Sequence, residues 1–174
     1  MLEADLGGDW MRGQLKHWPV VEPGMLMTQV DSTILSWVGS RSLTDASFEV
    51  YLREFQLDLE SRGDGRVTYL LHVEDGPGIN AKQRGQVSAI LERYRAVLRR
   101  TTLGFSYVTS SAVSRGALRA IFWVAPPPYP YQVTASVADG LRFLEEKDPR
   151  VDPGSVEPRY RSQLQRFREK LGRS

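Results

Sequence analysis

The chain contains no cysteine, which excludes disulfides, thiolate metal sites and cysteine nucleophiles. Histidine is almost as scarce. His17 and His72 stand far apart, so a histidine-based zinc site would need carboxylates to complete it. No apolar run is long enough to span a bilayer. Residues 1–16 carry Glu3 and Asp5 early and hold no apolar core, which is not the pattern of a secretory signal. The expectation is a cytoplasmic protein with no metal, no cofactor and no stable membrane insertion.

What is present is ordinary for one globular domain: 174 residues, 41% hydrophobic and 25% charged. The net charge of +2 hides an asymmetry. Residues 153–174 carry six basic side chains (Arg159, Arg161, Arg166, Arg168, Lys170, Arg173) against Glu157 and Glu169, a net +4. The remainder therefore carries −2. Positive charge lies in a tail, and the body offers no broad basic face for nucleic acid.

Residues 1–21 lack periodicity and read as a flexible N-terminal segment. Residues 24–31 and 33–38 form two short strands around the turn residues Asp31 and Ser32. Thr44 caps a helix whose apolar positions Phe48, Tyr51, Leu52, Phe55 and Leu59 share one face. Residues 67–73 read as a strand, and a helix with Val87, Ile90, Leu91, Tyr94 and Leu98 in register runs from the cap Asn80 to about Arg100. A strand over 102–109, a helix opened by Ser110 or Ser111 and ending near Val124, a strand over 131–135 and a short helix capped by Ser136 follow. "DPRVDPG" reads as a linker, and residues 158–171 as a charged amphipathic helix. The order β-β-α-β-α-β-α-β-α plus a C-terminal helix predicts an α/β fold with a mostly parallel, mixed sheet of about five strands. The division is a flexible segment over 1–21, an α/β domain over 22–148, and a linker with the charged helix over 149–174.

Four stretches carry a likeness on top of this order: "ILSWVGSRSLTDASFEVYLREF", "VTYLLHVEDGPGINAKQRGQV", "LGFSYVTSSAVSRGALRAIFW" and "VADGLRFLEE". Together they resemble the STAS-like domains of bacteria, in particular the SpoIIAA-like and STAS/SEC14-type proteins, over about residues 23–147. The resemblance implies non-enzymatic work such as partner switching, scaffolding or sensing. It also implies a phosphorylatable serine where the central strand turns into the second helix. That corner here is "EDGPGINAK", which has no hydroxyl side chain, so the acceptor of such a switch is missing.

The same corner has two readings from its own residues. A helix N-terminus can hold an anion, yet Glu74 and Asp75 repel a phosphate, and neither a Walker lysine nor a dinucleotide fingerprint is present. A tight turn at Gly76-Pro77-Gly78 capped by Asn80 is favoured, with Glu74 and Asp75 as solvated acids rather than a catalytic pair. Residues 109–114 offer hydroxyls without a nucleophile elbow or histidine partner. Pro127 and Pro130 have P-x-x-P spacing, read as a stiffened loop before a polyproline II ligand. The aromatic residues Trp37, Tyr69, Phe105 and Trp123 read as core, with an apolar ligand pocket as the alternative.

The helix over 111–124 is the candidate partner-binding element. On it Val113, Ala117, Ala120, Ile121 and Val124 share the face assigned to the core, and Leu118 and Phe122 face outward between Arg115 and Arg119. The tail stripe Tyr160, Leu164, Phe167 and Leu171 can cover that pair, within one chain or between two, or both stripes can meet another protein. The expected function is a non-catalytic regulatory or scaffolding module acting through protein–protein contact, with self-association included. A small-molecule or lipid-binding domain of the same fold is the alternative.

Overall fold

The computed structural model describes residues 19–39, 41–74, 79–124 and 126–171. Six strands run β1 (Val20–Glu22), β2 (Met25–Val30), β3 (Thr33–Gly39), β4 (Val67–Glu74), β5 (Thr102–Val108) and β6 (Tyr131–Thr134). Six helices accompany them: α1 (Asp45–Ser61), α2 (Ala81–Arg93), α3 (Arg95–Thr101), α4 (Ala112–Val124), α5 (Val137–Lys147) and α6 (Pro153–Leu171). The strands lie in the sheet in chain order. β1, β2 and β3 pair antiparallel, and β3 to β6 pair parallel. The α/β class and the mixed, mostly parallel sheet are those the sequence implies, with one strand more. The extra strand, β1, begins inside the segment expected to be loose.

Local chemistry sets most boundaries. Asp31, at φ 52°, turns the β2–β3 hairpin, in which Val30 faces Thr33. Thr44 accepts from the Ser47 amide at 3.0 Å and starts α1, whose stripe Phe48, Leu52, Phe55 and Leu59 is buried. Asn80 and Gln83 form a reciprocal capping box at α2. Where one helix was expected to reach Arg100, the turn at Tyr94 (φ −101°, ψ 15°) breaks it into α2 and α3. Gly24, at φ 73°, lies so close to Leu43 that a Cβ would sit 2.4 Å from that residue's amide nitrogen, so only glycine fits.

Because each parallel crossover steps one strand in the same direction, crossovers of the usual hand carry their helices to one face. There α1, α2 and α3 bury Met25, Met27, Ile34, Tyr69 and Phe105. The other face of the sheet shows Leu26, Val30, Leu35, Trp37, Leu70 and Val108, and α5 and α6 cover it. Gly140 lets α5 sit close, since a Cβ there would be 2.6 Å from Ser106 Oγ.

The tail is therefore part of the core. Asp152 accepts from the Gly154 amide at 3.0 Å and caps α6, with Pro153 at the first helical position. The helix thus begins five residues before the expected start at Pro158, inside the stretch "DPRVDPG" expected as linker. Val151 in that stretch is buried, and Asp148 pins it by accepting from Ser32 Oγ and Arg150. Val156, Tyr160, Leu164 and Phe167 are buried against the sheet. At about 1.5–3 kcal/mol for each large apolar side chain, these contacts match the whole net stability of a domain, about 5–15 kcal/mol.

Truncation after Asp152 is accordingly expected to abolish the cooperative urea transition, and Phe167→Ala to lower stability by about 3–5 kcal/mol. Circular dichroism during denaturation checks both. A truncated chain with an unchanged midpoint would show that α6 is dispensable.

Candidate functional site

α4 starts where β5 ends. The Ser111 hydroxyl accepts from the Ser114 amide at 3.2 Å, so Ser111 is the cap anticipated at this corner. Phe122 then drops onto the sheet, its ring 4.9 Å from Tyr107 and 4.8 Å from Tyr131. Leu118 is half-buried beside it. The orientation is thus the reverse of the expected one: Phe122 is 9% exposed, whereas Val113 is 83% and Trp123 85% exposed. The side chains of Ala117, Ile121 and Val124 lie outside the described residues.

Ring complementarity decides this. Tyr107 and Tyr131 stand on neighbouring strands and present a surface that an aromatic side chain fills better than a valine. Apolar content alone could not discriminate, since both faces of the helix are apolar. Trp123, expected in the core, points to solvent for the same reason.

The arginines flanking Phe122 are tied inward. Arg115 Nη1 donates to the carbonyls of Thr109 (2.8 Å) and Ser110 (2.7 Å), and Arg119 Nη2 donates to that of Val133 (3.2 Å). Outward, Val113, Gly116, Ala120 and Trp123 are all exposed. At 100° per residue they fall within a sector of about 80° that carries no charge.

The tail stripe does not meet α4, because the two lie on opposite faces of the sheet. Tyr160, Leu164 and Phe167 are core residues, and the Leu171 side chain is outside the described residues. Tyr160 reaches the carboxyl end of β4, where its hydroxyl lies 3.1 Å from His72 Nδ1. His72 Nε2 is 3.3 Å from Glu74, which also pairs with Arg168. The Arg168 guanidinium in turn lies over the Trp37 ring, and Phe167 meets that ring edge-on at 5.3 Å. Burial is the main influence on His72 and lowers its pKa; Glu74 opposes this, while Arg168 and Arg161 add to it. The neutral imidazole then accepts a hydrogen bond from the Tyr160 hydroxyl at Nδ1 and directs its own Nε2–H to Glu74. Burial likewise pushes the Tyr160 hydroxyl up, above the ordinary tyrosine value.

A carboxylate, an imidazole and a hydroxyl in series resemble a catalytic relay. Tyr160 is 1% exposed, however, so no substrate reaches its oxygen, and the series holds α6 to the sheet. Sequence reasoning missed it because His72 and Tyr160 are 88 positions apart. Glu74, read as a solvated acid, is committed to His72 and Arg168. Asp75 and the corner Gly76-Pro77-Gly78 lie outside the described residues.

Among the described residues no group of His, Cys, Asp and Glu could hold a metal ion, and no helix is long and apolar enough to cross a membrane. Tyr129 anchors the proline-rich connection, stacked on Phe105 at 5.4 Å and bonded to the Tyr107 hydroxyl at 2.9 Å. Comparison with family models, with curated proteins and with solved structures finds no match.

With its folded pKa below its unfolded value, His72 is protonated first in the unfolded chain. Its contribution to stability is fully present above the unfolded value of about 6.5 and is lost as pH falls toward the folded value. Urea midpoints measured from about pH 8 to pH 5 should fall for the wild type and fall less for His72→Gln. Parallel curves would contradict a neutral, buried His72.

Proposed function

We propose that the chain is a non-catalytic interaction module of the STAS-like type, regulatory or scaffolding in role, whose contact surface is the outer face of α4. One observation carries this reading: Trp123 and Val113 lie almost fully exposed on one uncharged helix face. Exposed tryptophan in an apolar setting is the residue type that dominates binding energy at protein interfaces. The run of elements from β2 to α5 supports the STAS-like assignment, since it follows the order on which the resemblance rests, with α2 and α3 together standing for one helix.

Geometry also indicates the kind of partner. α4 has 13 residues and is about 20 Å long, so one 80° sector falls far short of the roughly 800 Å² per partner of a standard interface. A flat surface, including a second α4, would bury too little. A partner with an apolar groove that receives the helix recovers the missing area, in the helix-in-groove mode.

The double change Val113→Asp/Trp123→Asp leaves the fold within about 0.5 kcal/mol, because both sites are exposed. It is expected to weaken binding of a partner purified from the host by well over tenfold, as loss of a central tryptophan costs about 2 kcal/mol or more. Calorimetric titration of that partner with wild type and variant decides the matter. Equal affinities would move the surface elsewhere.

A further inference from the structure

Among the described residues β6 closes one edge of the sheet and is bonded on one side only, to β5. Phe105 donates to the Pro130 carbonyl at 2.9 Å, and Thr109 to that of Thr134 at 3.1 Å. Even-numbered residues of β6 therefore face β5, and by strand alternation Tyr131 and Val133 turn their N–H and C=O groups outward. The Val133 carbonyl is not bare: the Arg119 side chain donates to it. Beside this edge, between β6 and α5, runs an open groove of about 380 Å³ lined by Gln132, Thr134, Asp139, Arg142, Phe143 and Glu146. Asp139 is engaged by Ser136 and Arg142, whereas Glu146 has no hydrogen bond or ion pair among the described residues.

We propose that this edge and groove take an extended segment of a partner protein as a seventh strand, with a lysine or arginine of that segment paired to Glu146. The main chain of the guest supplies the donors and acceptors that Tyr131 and Val133 lack, and Arg119 holds the place of one guest N–H. A peptide edge answers a strand edge in this way in β-strand addition, with side-chain pockets setting the preference. The prolines before β6 and its shortness limit indiscriminate pairing. The groove walls give selectivity. Two carboxylates against one Arg142 favour a basic guest, and a second copy of this chain would set its own Asp139 and Glu146 against the first pair. This surface is separate from the outer face of α4 and stands on different observations.

The test pans random peptides of about ten residues, displayed on phage, against the full chain. Enriched peptides should carry lysine or arginine within an alternating β-forming pattern. On saturation with one of them, amide exchange should slow about tenfold or more at Tyr131 and Val133, and little at Gln132 and Thr134, which already bond to β5. Glu146→Lys, an exposed and fold-neutral change, should weaken binding about tenfold, while Arg119→Ala should strengthen it severalfold. No enrichment, or enriched peptides that leave Tyr131 and Val133 unprotected, would overturn the proposal. So would peptide-free self-association that protects the same two amides, since it would make a second copy the occupant.

Discussion

A sheet whose parallel strands follow one another in chain order receives its crossover helices on one side and is left bare on the other. Here the bare side carries Leu26, Leu35, Trp37 and Leu70, too much apolar surface to leave in water. The chain meets this constraint with its last two helices, which is why a segment that looks like a charged appendage is one of the two covers of this face. Gly140 brings α5 down to the sheet, and the Asp148 elbow turns the chain so that α6 lies back across β2. The polar series from Tyr160 through His72 and Glu74 to Arg168 then joins the helix to the carboxyl end of β4.

The same constraint explains the uneven charge. A basic tail on an acidic body reads, in isolation, as an arm for an external anion. In the folded chain Arg159 meets Asp31 at 3.2 Å and Arg168 meets Glu74, so part of the asymmetry is spent between tail and body. These pairs are partly exposed, and surface pairs of this kind stabilise weakly. They align α6, and the burial beneath them supplies the energy.

How much was legible follows from which signals are local. Thr44, Asn80, Ser111 and Ser136 announce four helix starts because a cap is chemistry between residues three positions apart. The stripe of α1 is single-sided, so its buried face was unambiguous. α4 is apolar on both faces, and only the tyrosines of β5 and β6, remote in sequence, choose Phe122 for the inside. Trp123 followed that choice to the outside. The start of α6 was obscured by two prolines, each a plausible first residue. The imidazole–phenol contact could not be read at all, since neither partner has a neighbour in sequence that hints at the other. The groove beside β6 is equally a product of assembly, formed by an edge strand and by a helix that leans over β5 rather than over β6.

The late position of α6 also has a consequence for synthesis. A chain is made from its N-terminus, and β2 and β3 are complete long before residue 153 exists. Until α6 follows, the growing polypeptide holds a hairpin with one coated side and one sticky side, and such surfaces are where nascent chains aggregate. The domain thus closes this face only once α6 has been made, and the surface around Trp37 stays uncovered for the interval between making Trp37 and making Phe167.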